Sequence, residues 1–154
     1  MSPGELRFYK VLVLPCLAAI AYLAAVAFGP TIESRLAPAR VEQSVEVIIR
    51  EVDRLCWNWR SMKVRPLAAE DIDVVLIVRG DRMISSVFSA ATGMPWRQLG
   101  AVSVGPHVQR YCLTLPPHVS STDAVKIEQT VFYPGLGGLY RFASRIPDVV
   151  SPGR

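Results

Sequence analysis

The chain has 154 residues, enough for one small domain and one membrane segment but hardly for two domains. Hydrophobic residues make up 51% of it, and the formal net charge is +4 at pH 7. The basic residues are scattered and form no cluster of the kind that binds nucleic acid, so we expect no nucleic-acid partner. Twelve prolines and ten glycines favour frequent turns, and therefore short strands over long helices.

The first feature in chain order is an apolar stretch near the N-terminus. No side chain between Val11 and Ile32 carries a charge. Helices rise about 1.5 Å per residue, so roughly 20 apolar residues cross the hydrocarbon core of a bilayer. The stretch therefore predicts a membrane-spanning helix that stops at Gly29-Pro30. The side chains expected to anchor it are Val11, Leu14, Leu17, Ile20, Leu23 and Phe28.

A cleaved signal peptide is the alternative interpretation of this stretch. Arg7 and Lys10 make a basic start, and Ala25-Val26-Ala27 matches the small-residue pattern before a cleavage site. The apolar run is longer than that of a usual signal peptide, which favours a retained single-pass anchor. Under both interpretations the C-terminal part leaves the cytoplasm, and the expected location is a bacterial periplasm.

The breakers and the composition predict four parts. They are a membrane anchor or signal peptide in residues 1–30, a juxtamembrane linker in 31–42, a β domain in 43–147 and a C-terminal tail in 148–154.

Residues 41–55 fit two secondary structures. Apolar side chains at alternating spacings of four and three match an amphipathic helix: Val41, Val45, Ile48, Val52 and Leu55. Val45, Val47 and Ile49 also follow the two-residue period of a strand. The helical pattern lasts only about two heptads, and strand signals dominate the chain that follows. We therefore expect a strand here, with residues 51–54 as its turn.

Short β-branched or aromatic runs between Gly and Pro turns predict six or seven strands. The runs after the ambiguous segment cover residues 55–65, 73–79, 83–90, 107–115, 125–131 and 139–143. Short strands with turns at roughly every dozen residues are typical of an antiparallel β-sandwich. The expected fold is mainly β, a small sandwich behind the N-terminal helix, with an immunoglobulin-like Greek key as its specific form.

Cys56 and Cys112 lie on two predicted strands far apart in sequence. In an oxidising compartment we expect a structural disulfide between them, and two buried free thiols are the alternative. Their spacing resembles that of the antibody-domain disulfide, although Trp57 and Tyr111 do not stand where that family has its tryptophan and tyrosine. The resemblance therefore extends to a sandwich and not to the family. Cys16, in the apolar stretch, is expected to pack against helix or lipid.

Trp57 and Trp59 are the candidate binding surface. A strand places residues two apart on the same face, and paired aromatic rings can bind sugar or protein. Lys63 and Arg65, on the same face by alternation, would frame this surface. The alternative, which we favour, is that one of the two tryptophans packs over the sheet or under a loop.

No catalytic or metal-binding pattern stands out in the sequence. His107 and His118 lack the spacing of metal ligands, and there is no G-x-S-x-G nucleophile turn. Asp71 and Asp73 are more typical of a turn than of acid–base chemistry. Residues 135–138 indicate a flexible turn and not a phosphate-binding loop. We expect no metal, no cofactor and no enzymatic activity.

Three functional hypotheses follow. The first is a non-catalytic accessory or interaction subunit of a larger membrane assembly, in contact with the lipid bilayer and with other membrane proteins or further copies of itself. The second is a secreted or anchored module that binds glycan or cell-wall material through the two tryptophans. The third is thiol–disulfide exchange, for which the chain lacks a C-x-x-C motif.

Overall fold

The computed structural model of the protein describes residues 9–96 and 103–153. It contains one N-terminal helix followed by two four-stranded antiparallel sheets. The predicted mainly β class and the N-terminal apolar helix are therefore confirmed. Arg7, from the basic start of the apolar stretch, and Arg154, from the predicted tail, lie outside the described residues.

The helix starts with one π-helical turn, Tyr9–Val13, and continues as α1, Leu14–Leu36. No residue of α1 is buried. The six predicted anchor side chains are exposed or nearly so: Val11, Leu14, Leu17, Ile20, Leu23 and Phe28. By length and composition, Lys10–Leu36 is apolar enough to cross a membrane, with a mean hydropathy of 2.5, a test that an N-terminal signal sequence also passes.

The predicted helix stop at Gly29-Pro30 is wrong, because α1 runs through both residues. A proline in a helix interior costs about 3 kcal/mol, since it lacks the N–H that bonds one turn back. Membrane helices tolerate such a proline when neighbouring groups compensate. Pro30 leaves the carbonyl of Val26, four residues earlier, without this bond, and α1 nevertheless continues to Leu36. The first residues of the predicted linker are therefore helical.

In the described residues, eight strands follow the helix, which is one more than the upper expectation. They are β1 Arg40–Arg50, β2 Arg54–Lys63, β3 Asp71–Val78, β4 Asp81–Ile84, β5 Val87–Ser89, β6 Gly105–Thr114, β7 Val125–Gly135 and β8 Tyr140–Ser151. The first sheet has the order β1-β2-β6-β5, and the second sheet has the order β4-β3-β7-β8. Buried side chains of both sheets form one hydrophobic core.

The ambiguous segment 41–55 is strand, as expected, with residues 51–53 as the turn between β1 and β2. Val45 lies opposite Trp59, and Val47 lies opposite Trp57. Both valines pack against the core. The two-residue period prevails over the helical one because it gives each of these valines a large aromatic neighbour.

The expectation of one strand over residues 83–90 is wrong. β4 ends at Ile84 in the second sheet, and β5 begins at Val87 in the first. Ser85 and Ser86 carry the chain from one sheet to the other. The side-chain period is the same in both sheets, so a run of β-favouring residues does not reveal this crossing.

The last strand is longer than expected, because β8 continues past residue 143 to Ser151. It passes through Pro147, which cannot donate a hydrogen bond to a neighbouring strand. The position is tolerated because β8 is an edge strand and its pairing with β7 shifts register beside the proline. Part of the predicted C-terminal tail is therefore strand.

Cys56 and Cys112 form the predicted disulfide. They lie directly opposite each other on β2 and β6, so the bond crosslinks two neighbouring strands of the first sheet. Antibody domains instead use a disulfide that joins the two sheets. The cysteines lie on the face of the first sheet that points away from the core, where Ile49 and Phe88 continue the same row across the sheet. They are only 1% and 3% exposed.

Cys56→Ser and Cys112→Ser should destabilise the domain equally. The chain-entropy model gives about 4 kcal/mol for a closed loop of this length. The double variant should lose no more than either single variant, because each one removes the whole bond. Urea unfolding of the full chain in detergent, followed by tryptophan fluorescence, measures the free energies. Cys16→Ser removes the free, exposed cysteine and is the matched control; additive losses in the double variant would contradict the bond.

Asp123 organises the loop between β6 and β7 at the end of the domain far from the β7–β8 turn. It accepts hydrogen bonds from the Ser120 backbone N–H at 2.9 Å and from Arg79 at 2.7 Å. These two bonds, the Ser120 bond first, hold the pKa of the Asp123 carboxyl below its usual value. Arg50 donates to the carbonyls of both Ser120 and Asp123 and so closes this end of the domain.

Asp123→Asn should lower the Tm at neutral pH, because the amide loses the charge-assisted bond to Arg79. A carboxyl with a depressed folded-state pKa contributes stability above its unfolded pKa of about 4, and that stability is lost as the pH falls through the folded-state value. The Tm difference between wild type and variant should therefore shrink as the pH is lowered below about 4. Asp73→Asn, at an exposed strand position, is the control. A Tm difference that does not vary with pH would exclude this role.

Candidate interaction site at the helix–domain junction

The structure buries both tryptophans of the candidate binding surface. Trp57 is 0% exposed and Trp59 is 1% exposed, so neither ring can serve as a platform for a ligand. The prediction of an exposed binding surface is therefore wrong, and the packed alternative applies to both rings. The reason is that β2 is a central strand whose inner face meets the core. Trp59 packs against Trp96 with ring centroids 5.2 Å apart, and Trp96 packs against Tyr111 at 4.1 Å.

The two basic residues expected to frame that surface are separated. Lys63 is 2% exposed at the end of β2. Burial, together with the nearby Arg40 guanidinium, lowers the pKa of its ammonium group. Arg65 lies beyond the strand and turns toward α1, so the two cations do not form one exposed surface.

The other candidates for chemistry remain apart from one another. His107 contacts a backbone carbonyl through Nε2 at 2.6 Å, and His118 is exposed in the loop between β6 and β7. Asp71 accepts a hydrogen bond from the backbone N–H of Ile72 at the start of β3. In the part of the chain that the structure describes, no group of three or more His, Cys, Asp or Glu side chains could hold a metal ion.

A groove of about 710 Å³ lies between the C-terminal half of α1 and the turn that joins β7 to β8. This turn is a short 3-10 segment, Leu136–Gly138. The lining is mostly apolar, with Ala24, Ala25, Phe28 and Ile32 from the helix and Leu67, Pro134, Leu136 and Tyr140 from the domain. Its charged lining residues are Glu33 and Arg65, which pair with each other.

The ion pair between Glu33 and Arg65 joins the helix to the domain. Arg65 Nη1 lies 2.6 Å from Glu33 Oε1, and the same nitrogen donates to the Ala37 carbonyl. The Glu33 side chain is only 11% exposed, and the Arg65 side chain is 31% exposed. Partial burial strengthens the Coulomb attraction but also adds a desolvation cost, so the pair fixes geometry more than it adds stability. The Arg65 guanidinium also lies over the Phe142 ring, 5.5 Å from its centroid.

Tyr140 is the second contact between the helix and the domain. Its ring lies between Gly29 of α1 and Gly135 of β7, and a Cβ at either glycine would overlap the ring. The two missing side chains therefore let the helix approach the start of β8 closely. Burial raises the pKa of the Tyr140 phenol, and the adjacent Glu33 carboxylate raises it further.

Behind this junction, Arg40 links the start of β1 to both sheets. It is 6% exposed. Its Nε donates to the Tyr133 hydroxyl at 3.0 Å, and its Nη1 donates to the Ser61 hydroxyl at 2.7 Å. The guanidinium carbon lies 4.5 Å from the centroid of the Trp59 ring. Tyr133 stands two residues before Gly135, so this buried polar cluster supports the strand that the helix contacts.

The turn between β7 and β8 carries exposed apolar side chains beside the groove. Leu136 is 64% exposed and Leu139 is 37% exposed. Gly138 has a φ of +90°, which side chains other than glycine rarely adopt. The sequence predicted a turn here, and the structure confirms the turn and sets it against α1.

Sequence reasoning missed the junction. Gly29 and Glu33 fell in the predicted helix stop and linker, and Tyr140 fell in the predicted last strand. The available signal was Glu33, the first charge after a long apolar run, which needs a cation or water at the end of the helix. That its partner is Arg65 depends on the tertiary fold.

No protein-family model matches the sequence, and no curated protein is significantly similar to it.

Gly29→Leu should separate α1 from the domain, because the leucine side chain would occupy the space of the Tyr140 ring. In the full chain in detergent, we expect faster tryptic cleavage at Arg35, with little change in the Tm of the domain. Ala21→Leu adds similar bulk at an exposed helix position outside the junction and should leave the cleavage rate unchanged. If Gly29→Leu were cleaved at the wild-type rate, the close packing on Tyr140 would be excluded.

Proposed function

We propose that this protein is a single-pass membrane protein whose extracytoplasmic β domain acts as a non-catalytic accessory or interaction subunit of a larger membrane assembly. The observation that carries the proposal is the junction, where Glu33 pairs with Arg65 and Tyr140 packs between Gly29 and Gly135. These contacts hold the domain against one end of an apolar helix instead of leaving it on a free linker. A domain held in this way presents a fixed surface to proteins in the same membrane.

The charges at the helix ends support the membrane placement. The uncharged segment from Val11 to Ile32 spans about 33 Å as a helix, close to the thickness of a bilayer core. Lys10 precedes this segment, and its long stem lets the ammonium reach the interface. Glu33 follows it and is neutralised by Arg65. A retained anchor keeps both of these charged residues. Cleavage after Ala27 would remove Lys10 but would leave Glu33, and the contact of Gly29 with Tyr140, on the mature chain.

The disulfide supports an extracytoplasmic domain, because such bonds persist in oxidising compartments and are rare in the cytosol. A bacterial periplasm is the compartment we propose. There, the bond between Cys56 and Cys112 would secure the two central strands of the first sheet.

We further propose that the two sheets form an immunoglobulin-like sandwich. Lettering the strands A, B, C, C′, D, E, F and G in chain order turns the two sheets into A-B-E-D and C′-C-F-G. This order agrees with the Greek-key arrangement of that fold. The intra-sheet position of the disulfide and the absence of a tryptophan from β3 distinguish the chain from antibody domains.

The arrangement favours interaction over ligand binding or chemistry. The ligand-binding hypothesis depended on Trp57 and Trp59, and both rings are buried. Thiol exchange would need an accessible reactive cysteine in the domain, whereas Cys56 and Cys112 are bonded and almost completely buried. Exposed apolar side chains are concentrated on α1, and Leu136 and Leu139 of the adjoining β7–β8 turn are exposed as well.

The anchor should keep the intact chain in membranes after a carbonate wash, with Met1 or Ser2 as its N-terminus. Terminal sequencing by mass spectrometry of the pellet and the supernatant measures both properties. Recovery in the supernatant with a new N-terminus at Phe28 would identify a signal peptide and overturn the anchor.

The subunit role is tested by purification of the full chain from its native membranes in mild detergent. We expect other membrane proteins, or further copies of the chain, at a constant stoichiometric ratio through a second, size-based separation. Gly29→Leu provides the matched variant, because it opens the junction and should reduce that ratio, whereas Ala21→Leu should not. A monodisperse monomer without partners would contradict the role.

A further inference from the structure

The β7–β8 turn lies at the level of the membrane segment of α1. The ring of Tyr140 contacts Gly29, three residues inside Ile32, the last residue of the uncharged segment. Leu136 lines the groove together with Ala25. At about 1.5 Å per residue, these helix positions are roughly 5 to 10 Å inside the end of the apolar segment. A helix that spans a bilayer therefore brings this turn to the depth of the outer acyl chains.

The composition of the turn fits that depth. The nine residues from Phe132 to Tyr140 carry no charge. Leu136 is largely exposed and Leu139 is partly exposed. An exposed apolar turn is unfavourable in water but favourable in the interfacial layer of a membrane, where aromatic side chains are also enriched.

Charged residues mark the boundary of this apolar surface. Arg141, the second residue of β8, directly follows the uncharged stretch and pairs with Glu70 at 2.9 Å. Glu33 and Arg65 pair within the lining of the groove, near the C-terminal end of α1. For a helix that spans a bilayer, these pairs would stand where lipid headgroups and water begin, whereas the other side chains that line the groove are mostly apolar.

We propose that the β7–β8 turn is a second membrane contact, which inserts Leu136 and Leu139 into the extracytoplasmic leaflet while acyl chains of that leaflet fill the groove beside α1. This inference rests on the proposed membrane anchor. Acyl chains are the occupant because the groove is continuous with the lipid-facing side of the helix and lies at the same depth. The domain is thereby held at two points, the helix and the turn, and has a defined orientation on the membrane.

The test uses the full chain with Cys16→Ser, reconstituted in phosphatidylcholine vesicles. Three variants, each with one free cysteine beside the Cys56–Cys112 disulfide, carry a polarity-sensitive fluorophore: Leu136→Cys in the turn, Leu23→Cys in the middle of α1, and Ile84→Cys on β4. All three positions are exposed, Ile84 at 95%, so labelling should not disturb the core. Near-ultraviolet circular dichroism of the tryptophan cluster checks the fold of each variant.

Lipids with a nitroxide on the acyl chain, either near the headgroup or near the chain end, quench fluorophores at their own depth. We expect several-fold quenching at position 136 by the shallow nitroxide and less by the deep one. At position 23 the deep nitroxide should quench more strongly, and position 84 should respond to neither.

The outcomes separate the inference from the anchor on which it rests. Quenching at position 23, with position 136 as unresponsive as position 84, would leave the anchor in place and overturn the inserted turn. A blue-shifted but unquenched fluorophore at position 136 would place a second copy of the chain over the groove and would also overturn it. Absence of quenching at position 23 would overturn the anchor and, with it, the inference.

Discussion

The ion pair between Glu33 and Arg65 is the contact on which the arrangement of helix and domain depends. A carboxylate at the end of a long apolar helix must be hydrated or paired, because isolation in an apolar medium is very costly. Here the domain supplies the cation at 2.6 Å. The same guanidinium also donates to the carbonyl of Ala37, the residue that follows α1, so one side chain of the domain contacts the helix end at two points. The ion pair sets the distance between α1 and the domain, and the groove and the contact of Tyr140 with Gly29 depend on that distance.

Local patterns predicted most of the fold. The two-residue period identified the main strands, and residues 51–53 form a turn close to the predicted one. The failures have a common cause. Pro30 was expected to end the helix, and the chain was expected to leave strand structure before Pro147. Pro147 is tolerated because β8 is an edge strand with a shifted register beside it, and α1 continues past Pro30 as the proposed membrane helix would.

The candidate site was predicted in part. Alternation correctly placed Trp57 and Trp59 on one face, but it does not say which face of a sheet is covered. β2 is central, so that face belongs to the core. Arg65 was singled out, yet its partner is Glu33 on the helix and not a tryptophan. The disulfide pair was predicted correctly, whereas its position within one sheet required the strand order.

The contact of Tyr140 with Gly29 also couples the orientation of the β domain to the orientation of α1. β8 starts at Tyr140, beside the helix, and its twelve residues reach the opposite end of the domain, about 40 Å away at roughly 3.3 Å per residue. Membrane helices adjust their tilt to the thickness of the bilayer. In the proposed membrane placement, with α1 and β8 moving together, a tilt of about 10° would carry the loop around Asp123 sideways by roughly 7 Å. In that placement, the thickness of the lipid would set where the far end of the domain meets its surroundings.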